Sequence, residues 1–347
     1  MHCRCALKLF VVLCVILLGG IMVLTRLSSM YFIDQWNGKF FHVPNGITLA
    51  NFGSSHGHMG FDYSGISGET CFNFALSGQL VDYDNALLSE YGAKIAKGAA
   101  LIIPVSHFAV RWNITGVSRF ESEYRRYYYG HIVSPRNMPK YSMVEDFLVN
   151  YWPYYSQGRW AVLQLVRSLI HFRLPPQPEW SMWDARKPMN DKYKENIGEY
   201  AKKRFLYCNT AKHGNAAVNG GYSAETVGIG PHPRQVEALG KIVRKAKALG
   251  AVPVLITTPF TDCYNQAVDA EFSRLFYQMI ANVCRETGVK YHDYSHDPRF
   301  EHDYSLFYDQ DHLCAAGAKK FTAIVYDEIV RPIRQKQAKQ AEKVSAK

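Results

Sequence analysis

Residues 47–57 of the sequence, ITLANFGSSHG, pass from an apolar run to a run of small and polar residues. The apolar run predicts a β-strand over 47–52, and the small residues at 53–57 predict a tight turn at its end. Strands that run directly into such turns are typical of α/β folds, in which the turns lie at the carboxyl ends of parallel strands. We therefore expect this turn to expose the hydroxyl of Ser55 at one edge of a sheet.

The rest of the sequence contains further strands and helices in alternation. Strands are predicted at 71–75, 99–105, 252–257 and 289–291, and helices at 81–97, 233–249, 268–287 and 315–330. The strands are almost continuously apolar, as is usual for strands buried on both faces of a sheet. The sequence therefore predicts an α/β fold with a doubly wound parallel sheet covered by helices.

The predicted sheet is interrupted, and the chain has a distinct segment at each end. Residues 1–26 are predicted to form a tail and a transmembrane anchor, followed by a connector over 27–45. The α/β domain spans 46–335 and a basic tail spans 336–347. Within the domain, about 111–230 is a largely helical insertion, dense in tyrosine and tryptophan, that we expect to cover the carboxyl ends of the strands. Its aromatic residues suit a core, a groove in which sugar rings stack, or a surface at the membrane interface.

The anchor is an uncharged apolar run over 9–25 that is near the short limit for spanning a bilayer. No small-residue cleavage site follows it, which favours an uncleaved, single-pass anchor over a removed signal peptide. Arg4 and Lys8 precede the run and little charge follows Arg26, so the N-terminus is predicted to be cytoplasmic. The domain would then be periplasmic or extracellular at the cell membrane.

The net charge of +10 raises the question of a nucleic-acid partner. Much of this charge is at the C-terminal end of the chain, and no nucleic-acid recognition motif accompanies it. We therefore expect no nucleic-acid partner, and interpret the basic tail as a solvated helix end or a segment attracted to anionic lipids or glycans.

Two loops carry the side chains that a serine nucleophile and its base require. Ser55 follows the first strand, and the sequence DQDH at 309–312 directly precedes the last predicted helix. His312 can take the proton of Ser55 if a carboxylate holds its other ring nitrogen, and Asp309, three positions earlier, is suitably placed to do so. Asp311 is the alternative orienting carboxylate.

Three blocks of sequence, in this order, resemble the motif blocks of the SGNH or GDSL hydrolase superfamily. Gly53-Ser54-Ser55 resembles the first block, NFALSG at 73–78 resembles the second, and DQDHL at 309–313 with the following Gly317, Ala318 and Phe321 resembles the last. The resemblance extends over most of the domain. It implies that Ser55 is the nucleophile, His312 the base and Asp309 its partner, and that the backbone N–H groups of Gly78 and Ser55 stabilise the oxyanion.

One block departs from the pattern of the family. The third block normally supplies an asparagine to the oxyanion hole, whereas here the strand runs into PVSHF at 104–108. Ser106 or His107 would have to donate in its place. This departure is similar to the one seen in the membrane-anchored branch of the superfamily, which includes teichoic acid D-alanyl transfer and alginate O-acetylation proteins.

The resemblance implies a membrane-anchored serine esterase or O-acyltransferase that forms an acyl-serine intermediate. Its substrate would be acyl esters of an extracellular polysaccharide or teichoic-type polymer, and a membrane-bound acyltransferase would be its partner. The alternative is a non-catalytic glycan-binding or assembly partner that retains the fold. His56 is expected to line the substrate pocket. We expect no cofactor and no metal, because the spacings of His56, His58, His292, His296 and His302 fit no common metal site.

Overall fold

The structure is a computed structural model that describes residues 2–111, 132–138, 187–209 and 230–345, with isolated residues at 143, 144, 147 and 170. The chain forms two compact units. One comprises Met1–Val43 and Ser118–Ser181, and the other comprises Pro44–Val117 and Met182–Lys347. All of the predicted site residues belong to the second unit.

The first unit begins with one long helix, α1, over His2–Asn37. The 18 residues Ala6–Val23 within it have a mean hydropathy of 2.7, and none of this window is buried. The helix is therefore long and apolar enough to be a membrane anchor or a signal sequence. No other helix in the described part of the chain meets this condition.

The second unit is built on a parallel sheet that has five strands among the described residues. They are β1 Ile47–Asn51, β2 Cys71–Asn73, β3 Ile95–Pro104, β4 Val252–Thr257 and β5 Lys290–Asp293. Their order in the sheet is β2-β1-β3-β4-β5, so the chain crosses over β1 on its way from β2 to β3. Open α/β sheets bind ligands beyond the carboxyl ends of the strands where the order reverses in this way. In this sheet that place is between β1 and β3.

Helices connect the strands and flank the sheet. Among the described residues between β1 and β4 they are α2 Ser55–Gly60, α3 Val81–Tyr91, α4 His107–Arg111, α5 Asp191–Glu195, α6 Ile197–Asn209 and α7 Pro233–Ala248. After β4 they are α8 Asp262–Ala267, α9 Ala270–Thr287, α10 Ala315–Val325 and, after a π-helical turn at Tyr326–Val330, α11 Arg331–Ser345. The basic end of the chain is thus helical through Ser345.

Both faces of the sheet are buried. Ile102 and Val254 belong to one core cluster with Phe321 of α10. Successive side chains of a strand point to opposite faces, so Leu101 and Leu255 lie on the other face, and they are completely buried too. The predicted α/β architecture, a parallel sheet flanked by helices, is therefore confirmed.

The prediction of one helix over 81–97 is wrong in its last part. α3 ends at Tyr91, a 3₁₀ turn follows at Gly92–Lys94, and β3 already begins at Ile95. The register between β1 and β3 is irregular near this end, and Gly98 has a φ of +80°. Apolar residues at helical spacing therefore continue into a strand here, because the helix passes through a 3₁₀ turn at Gly92–Lys94 directly into the irregular start of β3.

The predicted insertion is described only in part. Its tyrosines and tryptophans between Tyr124 and Trp183 lie outside the described residues. Its later part, 187–209, contains the helices α5 and α6 and belongs to the same compact unit as the sheet. This part contributes to the site, as the contacts below show.

Candidate active site

Two glycines shape the turn after β1 and place Ser55 at the start of α2. Gly53 has a φ of +106°, which residues with a Cβ rarely adopt. Gly57 packs against the end of the strand, because a Cβ at this position would lie 2.2 Å from the carbonyl oxygen of Phe52. α2 can therefore turn back onto β1, and Ser55 is held, half-buried, at the carboxyl end of the strand.

Asp84 of α3 holds the same turn from the neighbouring helix. Its Oδ1 accepts a hydrogen bond from the backbone N–H of Gly53 at 2.9 Å, and the side-chain amide of Gln79 donates to the same oxygen. Burial raises the pKa of Asp84 to about 7, although both hydrogen bonds act to lower it. A buried acid that is protonated below neutral pH thus anchors the turn that carries Ser55.

This anchor predicts a pH dependence of stability that Asp84→Asn should remove. An unfolded chain releases the proton of an aspartate near pH 4, whereas folded Asp84 keeps it until about pH 7. The folded state therefore binds more protons between these values, and the free energy of unfolding should fall as the pH rises through them. Between pH 5 and pH 8, the free energy of unfolding measured by urea titration should fall by about 2 kcal/mol more in the native protein than in Asp84→Asn. Parallel curves for the two proteins would contradict this reading of Asp84.

A short closed loop carries His312. Phe307 and Leu313 form an antiparallel bridge across its base. Within the loop, Oδ1 of Asp309 accepts hydrogen bonds from the backbone N–H groups of Asp311 and His312, at 3.0 and 2.8 Å. Asp309 therefore shapes the loop backbone in addition to contacting the imidazole.

The structure brings Ser55, His312 and Asp309 together. Nε2 of His312 lies 2.7 Å from Oγ of Ser55, across 257 positions of sequence. Nδ1 of the same ring lies 2.9 Å from each carboxylate oxygen of Asp309. Each ring nitrogen thus has one partner, with the serine on one side and the carboxylate on the other. This is the geometry that a base needs to accept the proton of a hydroxyl.

The buried site favours the protonated form of His312. Burial by itself lowers the pKa of this imidazole, but the charges of Asp309 and Asp311, together with the hydrogen bond that Asp309 accepts from the ring, outweigh it and leave the pKa raised. Arg204 acts in the opposite direction. A base that takes a proton during a reaction is stabilised in that state by the same carboxylates.

His56 lies beside the base and contacts a second carboxylate. Its ring stacks on that of His312, with 4.6 Å between the centroids and 17° between the planes. Nε2 of His56 is 3.2 Å from Oδ2 of Asp311, although the two atoms lack the alignment of a hydrogen bond. Asp311 is also 3.4 Å from Nδ1 of His312, farther than Asp309. Asp309 is therefore the better placed of the two to orient the ring of His312, and Asp311 contacts both imidazoles.

Two residues of the predicted insertion reach the loop of His312. Nε of Arg204, on α6, donates to Oδ2 of Asp311 at 3.2 Å. The hydroxyl of Tyr193, on α5, donates to Gln310 at 2.5 Å, and the Gln310 amide donates to Asp311 at 2.6 Å. Sequence reasoning missed Arg204 and Tyr193, because each lies more than 100 positions from the loop and no motif surrounds it.

The predicted oxyanion donors Gly78 and Ser106 lie in turns at the same edge of the sheet. Gly78 follows β2 and has a φ of +71°, and the two turns are joined by a hydrogen bond from Leu76 N–H to Gly53 carbonyl at 3.3 Å. Oγ of Ser106 is 3.4 Å from Oγ of Ser54 and accepts a hydrogen bond from the backbone N–H at the third residue after it. Both residues are thus near the turn of Ser55, and their role as donors stays a prediction.

The structure buries His107 in an aromatic cluster, and its role as an oxyanion donor stays a prediction. Its ring is buried among the rings of Phe260, Tyr264, Phe272 and Phe276, with centroid distances of 4.8 to 6.0 Å. Burial lowers the pKa of His107 to about 3, so the ring is neutral at ordinary pH. This arrangement favours a packing role, because β3 ends just before the residue and α4 turns its ring into an aromatic cluster.

One group of potential metal ligands occurs in the described part of the chain: His56, Asp311 and His312, with ligand atoms within 4.8 Å of one another. The two rings are nearly parallel, so their in-plane lone pairs do not converge on one point. Asp311 is already bonded to Arg204 and Gln310. These contacts favour a hydrogen-bonded network over a metal centre.

Comparison with solved structures adds a distant likeness. No protein-family model and no curated protein matches the chain. Among solved structures, it is similar to the X-ray crystal structure of protein YxiM from Bacillus subtilis, with 12% sequence identity and a TM-score of 0.35. The match covers 83% of this chain and 57% of that one. The chain therefore spans little more than half the length of this solved relative.

Proposed function

We propose that the protein is a serine esterase or O-acyltransferase of the SGNH type, with Ser55 as nucleophile, His312 as base and Asp309 as the residue that orients the base. The observation that carries the proposal is the pair of contacts at His312, 2.7 Å to Ser55 on one ring nitrogen and 2.9 Å to Asp309 on the other. The reversal of strand order beside β1 supports the same site, because open α/β sheets bind ligands at such a point.

In the first half-reaction, Oγ of Ser55 attacks the carbonyl carbon of an acyl ester while Nε2 of His312 takes the hydroxyl proton. Asp309 stabilises the imidazolium that results. The carbonyl oxygen, now an oxyanion, accepts hydrogen bonds from the backbone N–H groups of Ser55 and Gly78. When the tetrahedral intermediate collapses, the carbon–oxygen bond of the ester breaks and His312 returns the proton to the departing alkoxide. An acyl-serine remains.

The second half-reaction decides between hydrolysis and transfer. His312 removes a proton from the attacking hydroxyl, the acyl group leaves Ser55, and the serine recovers its proton. Water as the attacking group gives an esterase, and a sugar hydroxyl gives a transferase. Both outcomes use the same residues and differ in how well water is excluded from the acyl-serine.

The proposed setting is the cell membrane, with the catalytic unit on the periplasmic or extracellular side. The apolar helix α1 and the basic residues that precede its apolar run support a single-pass anchor with a cytoplasmic N-terminus. An anchored site suits acyl esters of a surface polysaccharide or teichoic-type polymer, with a membrane-bound acyltransferase as the source of acyl groups. These partners follow from the resemblance of the motif blocks to the membrane-anchored branch of the superfamily.

A fluorophosphonate probe tests whether Ser55 is a nucleophile. The purified full-length protein should be labelled, and Ser55→Ala should abolish the labelling, because the probe reacts with serines that an adjacent base activates. Ser64→Ala is a matched control, since this exposed serine lies in the next turn of the chain and should leave labelling unchanged. A folded native protein that is not labelled would contradict the enzyme and favour a glycan-binding or assembly role.

A further inference from the structure

A second set of buried polar groups lies beside the proposed triad, and the acyl-transfer steps do not use it. Its centre is the carboxylate of Asp311, whose side chain is 1% exposed. Arg204, Gln310 and His56 contact this carboxylate at 3.2, 2.6 and 3.2 Å. A buried carboxylate destabilises a fold unless charged or hydrogen-bonding groups surround it. The chain supplies three such groups to Asp311, so the presence of a carboxylate at this position needs an explanation.

We propose that Asp311, His56 and Arg204 are positioning residues for His312: the carboxylate fixes the His56 ring flat against the base, and Arg204 offsets the negative charge of the carboxylate. This inference rests on the proposed function, in which His312 is the base.

The ring of His56 is held by polar groups and by an aromatic neighbour. Oγ of Ser54 lies 3.5 Å from its Nδ1, and Asp311 lies 3.2 Å from its Nε2. The ring also meets Phe260 edge-on, at a centroid distance of 5.5 Å and an angle of 75°. A neutral tautomer with its hydrogen on Nε2 suits both polar neighbours, and burial lowers the pKa of His56. Burial therefore favours the neutral form of the ring, which is confined on several sides.

The ring of His56 restricts the movement of the base, His312. His56 lies against one face of His312 at 4.6 Å, so the base cannot tilt toward that side. Ser55 and Asp309 then hold it in the plane of the ring. A neutral neighbour also avoids repulsion when His312 becomes positively charged, whereas a charged His56 would oppose that step.

Charged groups of both signs surround His312. Asp309 and Asp311 face it from its own loop, neutral His56 faces it from α2, and Arg204 acts on it from α6. With both carboxylates ionised and the guanidinium present, protonation of His312 changes the net charge of the set from minus one to zero. Without Arg204 the same step would run from minus two to minus one, and the base would release its proton less readily. Asp311 and Arg204 therefore shift the pKa of His312 in opposite directions.

The test compares Asp311→Asn, Arg204→Met and the double variant in the full-length protein. Two quantities are measured: the pH midpoint of the acid limb of ester cleavage, and the titration of the His312 ring by NMR in histidine-labelled protein. Both should move to lower pH in Asp311→Asn and to higher pH in Arg204→Met. Asp311→Asn should also lose about tenfold to a hundredfold in kcat with little change in KM, because the base is no longer held in line.

The double variant is included because the single variants could fail to fold. Each single change leaves a buried or half-buried charge without its partner, whereas the double change removes both charges. It should therefore fold, with a midpoint between those of the two single variants. Arg274→Met is the matched control, because it removes a guanidinium from an exposed ion pair with Glu271 and should leave both midpoints unchanged.

The outcomes separate this inference from the proposed function. The positioning role would be overturned if the midpoints of all folded variants equalled those of the native protein, or if both single variants shifted in the same direction. If the NMR titrations shift as expected but the native protein cleaves no ester and resists the fluorophosphonate probe, the proposed function fails and the positioning of His312 stands. If the native protein is active and the titrations do not shift, the positioning role alone is refuted.

Discussion

Replacing His312 with glutamine should lower the cleavage of an activated ester by about 10⁴- to 10⁶-fold in kcat/KM. Glutamine retains a polar group near Oγ of Ser55 but cannot take its proton, so the serine stays a hydroxyl and attacks poorly. In the native site, Nε2 of His312 is 2.7 Å from that oxygen. The measurement is the rate of p-nitrophenyl acetate hydrolysis by the full-length protein.

Two further variants make this result specific. His302→Gln should keep native turnover, because the side chain of His302 is 72% exposed and contacts Asp262 instead of the triad. Adding Ser55→Ala to His312→Gln should cost little more than either change alone, since the two residues act in one step. A folded His312→Gln protein that retains a tenth or more of native turnover would refute the assignment of the base.

Replacing Gly317 with alanine should destabilise the fold by about 3 kcal/mol. Gly317 is in the first turn of α10, and a Cβ there would lie 2.0 Å from the carbonyl oxygen of Leu306 and 3.1 Å from Cδ2 of Leu313. The clash is with backbone at the base of the loop that carries His312, so rotation of a side chain cannot relieve it. Chemical denaturation should show a lower free energy of unfolding, and fluorophosphonate labelling should decrease as the loop is displaced.

Gly198→Ala is the matched control for this substitution. Gly198 is also in a helix, α6, but nothing lies within 4 Å of a Cβ built there. Alanine should therefore stabilise that helix by about 0.5 to 1 kcal/mol, a change of opposite sign. Equal stability changes in the two variants would show that the close approach at Leu306 has no energetic consequence.

The sheet and the grouping of Ser55, His312 and Asp309 were predicted from the sequence for related reasons. Near-continuous apolar runs identify strands that are buried on both faces, as found for β3 and β4. Parallel strands end at the same edge, so polar residues placed after different strands meet there. The contact between Ser55 and His312 follows from this rule once both loops are assigned to strand ends. The boundary of β3 was missed because helical spacing persisted past Gly92.

The groups around the triad could not be predicted in the same way. Arg204 and Tyr193 reach the loop of His312 from helices whose sequences show only ordinary helical spacing. The stacking of His56 on His312 depends on the angle at which α2 leaves the turn, which a sequence pattern does not contain. The packing role of His107 likewise depends on four aromatic rings from α8, α9 and the segment before α8. Tertiary contacts at long sequence separation decide all of these features.

The distance along the chain between Ser55 and His312 has a consequence for biogenesis. The serine is synthesised early and its base 257 positions later, and the loop of the base is closed by α10, near the end of the chain. Contacts between such distant segments form late in folding, because the intervening chain must first be ordered. A chain that ends before the loop of His312 would therefore carry an unactivated serine, and reactivity would arise only after that loop has been made and closed.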